Sequence, residues 1–425
     1  MAENRSLSPM EAVDEYFDML IKSRFIEMFG AFHPITELED VCMFVKRGKS
    51  ATYADSSDYY IVGQACIRLD CIEFNRVRCM DSSKYSDEYV LKFGDVLVNS
   101  TGVGSLGRCN AFYNPDGRVY FTDSHVTILR LKMNLMDPLF VKYYLNQNGV
   151  QADIYRKCVN GSTNQIELNR GTFAHFLVPV PPLELQNQFA DFVRRVDKSK
   201  AICKQIFQSF DNLVKSRFIE MFGDPLSNPM RWKTEQLCDV TTLIRNGTTP
   251  INAKKTYSQE GTVFLQSQNV WNNSIDFNNT QHIPNTLNLK MKSTQLEIGD
   301  LLITKTGRIN TENSSLGRIS IFRGYHEPVN ISSEIYLIRV LPSLNPEFLM
   351  HMFLTESYKR FIRNCSPGGT DKRHLYSRHV EKFSVILPPL ELQNQFVAFV
   401  KQVDKSKFEV VQSLLKLKDS MKSSE

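Results

Sequence analysis

A twenty-residue phrase, PPLELQNQFADFVRRVDKSK at Pro181–Lys200, returns almost unchanged as PPLELQNQFVAFVKQVDKSK at Pro388–Lys407. A shorter phrase, KSRFIEMFG, stands at Lys22–Gly30 and again at Lys215–Gly223. In the middle of the chain the two follow one another; at the outside they are parted, one near each terminus. Repetition at long period means two copies of one structural unit. Here the order is circular, so joining the termini would close a ring of two equivalent halves. The ends are therefore expected to lie together, with the halves related by an approximate two-fold axis. Two such halves suit a target with two parts. The intervening stretches, Ala31–Val180 and Asp224–Leu387, diverge strongly. Similar struts hold dissimilar modules.

The struts read as helices. Pro181-Pro182 suits a first turn, where a missing N–H costs little, and Glu184 then meets the positive end of the helix dipole. Apolar residues follow at three- and four-residue steps: Phe189, Phe192, Val196, Cys203, Ile206, Phe210 and Leu213. Phe218 and Met221 continue the stripe with a one-residue shift. The C-terminal copy offers Phe396, Phe399, Val403, Val410 and Leu417, and the N-terminal one Val13, Phe17, Leu20, Phe25 and Met28. This is a coiled-coil-like seam. Gly30 and Gly223 are natural helix stops. As one helix, Leu183–Phe222 is roughly 60 Å long. Packed against a second rod made from both termini it is a rigid spacer; the plainer alternative is a buried helical hairpin.

The modules read as β-rich. Tyr59–Ile67, Asp95–Asn99 and Val126–Leu131 are strand-like in the first; Val263–Gln266, Leu301–Thr304 and Ile335–Val340 are strand-like in the second. Faint echoes survive between them: Gly94-Asp95 with Gly299-Asp300, Ser105–Arg108 with Ser315–Arg318, and Asp137-Pro138 with Asn345-Pro346, the last pair each opening a helix. One fold is kept while its polar loops change.

Those loops carry base- and phosphate-binding chemistry. The first module has Lys46, Arg47 and Lys49, then Gln64 and Arg68, then Asn99 and Thr101. Ser124 and His125 follow, and then Asn160, Ser162, Thr163, Asn164 and Gln165. The second has Arg245, Asn246, Thr248 and Thr249, then Gln266, Gln268, Asn269 and Trp271. Lys305, Thr306 and Arg308 come next, then Ser332 and Ser333, and finally Thr370, Lys372, Arg373 and His374. Asn and Gln bind adenine bidentately, and Arg and Lys bind guanine or phosphate. Any one of them alone reads as a solvated loop residue; the sets carry the expectation.

The circular repeat, PPLELQNQF with its following helix, KSRFIEMFGDP, the loops RNGTTP and NGSTNQ and the GDxL elements resemble the specificity subunit of type I restriction–modification enzymes. The resemblance covers nearly the whole chain. It implies an α+β architecture of two target-recognition domains with short helices, separated by long antiparallel coiled-coil-like helices. It divides the chain at 1–30, 31–180, 181–223, 224–387 and 388–425. It implies double-stranded DNA as ligand, each domain reading half of a bipartite, asymmetric site while the helices set the spacing. It also implies two docked methyltransferase subunits and recruited endonuclease/translocase subunits. S-adenosylmethionine, ATP and Mg belong on those partners, with no cofactor, metal or catalytic residue in this chain. The segment from Met1 to about Pro9 departs from the pattern, as does VKRGKSA, which has no clear likeness to RNGTTP.

Composition agrees without deciding. A chain of 425 residues with 42% hydrophobic and 23% charged residues has the make-up of soluble globular protein. No stretch has the apolar length of a membrane span, and the N-terminus lacks a signal-peptide core. Nine scattered cysteines point to a reduced, cytoplasmic protein. A net charge of +5 is compatible with nucleic acid. Gly102–Gly107 spells GxGxxG, but a strand and turn are expected after it where a dinucleotide or S-adenosylmethionine site needs a helix. Two rivals remain: a tandem module for another polymer, and an S-adenosylmethionine-binding enzyme using that loop.

Overall fold

The computed structural model describes residues 9–81, 83, 86–161, 166–250, 256–309, 311, 314–369 and 371–422. The chain divides into two compact units, Val13–Cys203 and Lys204–Glu425, the latter with the residues up to Ala12. Ser162, Thr163, Asn164, Gln165 and Thr370 lie outside the described residues.

Each unit clasps its module between two antiparallel helical segments. In the first, α1 (Pro9–Phe29) runs against the start of α5 (Leu183–Phe222). Lys200 Nζ sits 3.1 Å from Asp14 and 3.5 Å from Asp18, while Phe25 meets Phe189 at 5.3 Å between ring centres. In the second, the end of α5 runs against α10 (Leu390–Lys422). There Lys407 Nζ sits 2.7 Å from Asp211, and Phe218 meets Phe396 at 5.4 Å. Gly223 ends α5 at φ +74°, a left-handed cap that glycine adopts without strain.

The seam follows expectation as far as Cys203 and then departs. Phe189, Val193, Val196 and Cys203 are buried, with Phe192 half-buried at the flank. Beyond Cys203 the buried residues are Phe207, Val214, Phe218 and Phe222. Leu213, expected in the core, is 48% exposed, and Ile206 is 38% exposed. A four-residue step from Cys203 reaches Phe207, not Ile206, and one residue turns the helix face by about 100°. Phe210 stays half-buried against the second core. In α10, Phe396, Val400, Val403 and Val411 are buried, while Phe399 and Val410 are half-buried. The Leu417 side chain lies outside the described residues.

The first module opens and closes on one antiparallel pair, β1 (Ile35–Glu37) with β11 (Leu177–Pro179). Its main sheet has the order β2 (Cys42–Arg47), β8 (Val126–Leu131), β5 (Val96–Asn99), β6 (Cys109–Ala111). A second sheet sets β3 (Tyr59–Val62) between β4 (Arg78–Cys79) and β7 (Val119–Thr122), the latter parallel. A short ladder joins β9 (Val159–Asn160) and β10 (Glu167–Leu168). The strand expected to reach Ile67 stops at Val62, where Gly63 leads into a helical turn at Gln64–Cys66.

The second module repeats the plan. β12 (Thr234–Gln236) pairs with β24 (Ser384–Ile386). The main sheet runs β13 (Thr241–Asn246), β22 (Ile335–Val340), β18 (Leu301–Thr304), β20 (Ile319–Ile321). The second sheet sets β14 (Thr262–Leu265) between β17 (Gln281–Ile283) and the parallel β21 (Val329–Ile331). Small ladders join β15 (Val270–Trp271) to β16 (Ser274–Ile275) and β19 (Thr306–Arg308) to β23 (Lys372–His374).

Three devices recur in both units. Asp137 caps α2 (Pro138–Leu145), accepting from Leu139 N at 2.8 Å; Asn345 caps α7 (Pro346–Phe353), accepting from Glu347 N at 2.9 Å. The cap residue's own N–H is received by a buried strut glutamine, Gln186 at 2.9 Å and Gln393 at 2.8 Å. An Arg–Asp fork crosses each main sheet, buried in the first and with a half-buried arginine in the second: Arg130 to Asp95 at 2.9 and 2.8 Å, and Arg339 to Asp300 at 2.7 and 2.8 Å.

Candidate nucleic-acid interface

In each module the polar loops gather where the main sheet's loops meet: after the first strand, after the central strand, and before the long strand. The loop after β2 is positioned by Gly48. Its N–H bonds Val126 O at 3.0 Å, and a Cβ there would fall on the carbonyl oxygens of Thr122 and Asp123. Gly247 does the same work after β13: its N–H bonds Ile335 O at 3.0 Å, and a Cβ would strike the carbonyls of Ile331 and Ser332. VKRGKSA is thus the structural counterpart of RNGTTP, a correspondence that comparing letters did not make. Only glycine lets the backbone approach so closely.

Threonine is the hub of each cluster. Thr101 Oγ1 bonds Gln64 Oε1 at 2.6 Å and His125 Nδ1 at 2.9 Å. Thr306 Oγ1 bonds Glu334 Oε2 at 2.7 Å and His374 Nδ1 at 2.9 Å. Around Thr101, a cavity of about 320 Å³ is lined by Gln64, Arg76, Arg78, Asp123 and His125. The Arg78 guanidinium lies 3.5 Å from the centre of the Tyr53 ring. Burial raises the Asp123 carboxyl above its ordinary range. Around Thr306, a cavity of about 410 Å³ is lined by Glu334, Lys372, Arg373, His374 and Tyr376.

The remaining predicted residues fall into three groups. Lys49, His125, Asn160, Arg245, Asn246, Thr248, Thr249, Gln268, Trp271, Arg308 and Lys372 are exposed, with Ser124, Gln266 and Ser333 half-buried. Others are engaged by neighbours: Lys46 with Glu88, Arg47 with Glu167, Arg68 with Glu73 at 3.1 Å, and Arg373 with Arg363 O at 2.8 Å. The third group is buried and braces the loops from beneath. Asn99 reaches Gln64 O at 3.4 Å, Asn269 reaches Asp276 O at 3.2 Å, and Ser332 N bonds Leu265 O at 2.9 Å. Lys305 Nζ donates to Asn246 Oδ1 at 2.9 Å and Ser333 O at 2.8 Å, and burial lowers its pKa.

Burial also lowers the Arg47 pKa, and its Nε and Nη2 have no protein partner among the described residues. Arg47 lines a cavity of about 270 Å³ with Asn160 and Arg170. Trp271 is 41% exposed and rests on Arg318, whose guanidinium lies 3.8 Å from the ring centre. The sequence reading missed Glu167, Glu334, Arg78 and Tyr376. Glu334 directly follows Ser332-Ser333, but a search for groups that attract phosphate passes over an acid. The Gly102–Gly107 loop runs into strand β6, as expected.

Paired clusters of amides, hydroxyls, cations and exposed aromatic rings can hydrogen-bond base edges and phosphates. The family model for the type I restriction modification DNA specificity domain matches the chain twice, at residues 35–209 and 229–417. The chain belongs to this family. A type I restriction enzyme MjaX specificity subunit of Methanocaldococcus jannaschii is 21% identical over 391 residues, covering 87% of this chain and 86% of that one. A chain from a structure on complex assembly and conformational transition of the type I R-M system is similar over 92% of this chain and 96% of its own. It has 17% identity and a TM-score of 0.51, a likeness of fold. As a specificity-domain protein the chain is a DNA sequence-recognition subunit, with one matched domain around each threonine hub. Among the described residues no helix is long and apolar enough to cross a membrane.

Proposed function

We infer that the two modules read the two halves of a bipartite, asymmetric DNA site, and that the antiparallel helices fix the distance between those halves. The carrying observation is a shared scaffold with unlike polar residues at matched places. His125 stands on the turn before β8 where Glu334 stands before β22, and Arg47 ends β2 where Asn246 ends β13. One scaffold with two chemistries reads two different half-sites. The chain acts without a catalytic centre of its own, in the cytoplasm. The helices dock two methyltransferase subunits, which bring S-adenosylmethionine, and the assembly takes up endonuclease/translocase subunits with ATP and Mg.

The test is to sequence methylated sites in cells carrying the chain with its partner subunits, before and after residues 31–180 are replaced by another such module. One half of the motif changes and the other stays. Change in both halves rejects modular reading. Lengthening α5 by one turn changes the spacing alone; an unaltered spacing rejects the ruler. Binding also weakens steeply with salt, because each neutralised phosphate releases counterion.

A further inference from the structure

The Thr306 cluster has a fixed hydrogen-bond polarity. A carboxylate only accepts, so the single hydroxyl proton of Thr306 goes to Glu334 Oε2, 2.7 Å away. The 2.9 Å contact between Thr306 Oγ1 and His374 Nδ1 must then be donated by the ring. That leaves Nε2 of the neutral His374 as an acceptor. Glu334 and His374 both line the 410 Å³ cavity with Lys372, Arg373 and Tyr376. Glu334 is half-buried and anchored through one oxygen, so its other oxygen has a set direction.

A carboxylate on a DNA-binding face is repelled by phosphate, and only a donor on the nucleic acid offsets that cost. In the major groove the donors are the amino groups of cytosine and adenine. Adenine sets the N7 acceptor beside its amino group, which opposes a carboxylate; cytosine sets only a C–H there. We propose that Glu334 is a specificity-determining residue that reads the exocyclic amino group of a cytosine in the half-site met by the second module. The matched position in the first module is His125, so the two half-sites differ at this place. The proposal rests on the reading of half-sites by modules given above.

The experiment uses the complete chain with its methyltransferase subunits. Methylated sites are sequenced for the native protein and for Glu334→Gln, the second half-site being the one unmoved by replacement of residues 31–180. The variant is expected to relax one G·C position of that half-site and no other. In parallel the native complex is titrated with its duplex and with one whose cytosine at that position is replaced by 2-pyrimidinone, which lacks the amino group. Binding is expected to weaken tenfold or more. An unchanged motif, relaxation at an A·T position, or equal binding of the two duplexes overturns the assignment. Absence of any defined motif for the native complex defeats instead the broader reading.

Discussion

Gln186 Oε1 accepts the buried backbone N–H of Asp137 at 2.9 Å, while its amide donates to Pro181 O at 2.8 Å. Gln393 repeats both bonds with Asn345 N and Pro388 O. Each glutamine is at most 1% exposed. Replacing Gln186 by Leu keeps the volume but orphans the Asp137 N–H, at about 1–3 kcal/mol. Thermal unfolding should show this loss in the first unit, and Gln393→Leu the same loss in the second.

The Asp95–Arg130 fork is more demanding. Both side chains are under a tenth exposed, and the carboxylate receives two N–H groups from the guanidinium and a third from the Lys92 backbone at 2.8 Å. Removing the negative charge with Asp95→Asn strands a buried guanidinium, which costs roughly 3–5 kcal/mol. Denaturant unfolding should place the whole effect in the stability of the first unit.

The second unit carries an acid-sensitive histidine. His351 packs edge-on to Phe396 at 5.4 Å. Burial first, then the nearby Arg323 and Lys407, hold its pKa down at about 4, with Asp211 opposing weakly. In the unfolded chain it protonates near its ordinary value of about 6.5. Stability is therefore complete above that pH and is lost as pH falls towards 4, by up to about 3 kcal/mol. His351→Tyr borrows the residue of the first module, where Tyr143 faces Phe189 at 5.5 Å. That variant should flatten the unfolding profile between pH 4 and 6.5.

The helix seam separates two neighbours. Leu213→Glu should leave folding within about 0.5 kcal/mol, since the site is exposed. Val214→Glu places a charge in the second core, where Val214 is 6% exposed. It should lower the unfolding midpoint sharply when the two variants are compared by calorimetry.

Gly247→Ala probes the loop against the strand turn. The added methyl meets the carbonyls of Ile331 and Ser332, so the loop carrying Thr248 and Thr249 must move. Affinity for cognate duplex should drop at least tenfold, while unfolding of the first unit is unchanged.

The long helices were legible because their phrases recur and because α5 and α10 follow proline pairs, and the central strands because β-branched runs sit beside Gly-Asp. The Asp95–Arg130 fork was not legible, because no local rule joins residues so far apart in sequence. The seam was misphased after Cys203 because Ile206 and Phe207 are both apolar, and only packing chooses between them. The site was legible as sets of residues. Which members face outward and which brace from below, as Asn99 and Lys305 do, depended on loop approaches set by Gly48 and Gly247. Glu334 was passed over because its charge opposes phosphate.

The first unit is one uninterrupted stretch, Val13–Cys203. The contacts within that stretch can form once Cys203 leaves the ribosome, whereas the second unit waits for α10, which follows its module in the chain. Translation therefore delivers the two halves in sequence, the first able to finish folding while the second is still being built. A ribosome stalled beyond Cys203 would release half a reader already complete in its own contacts.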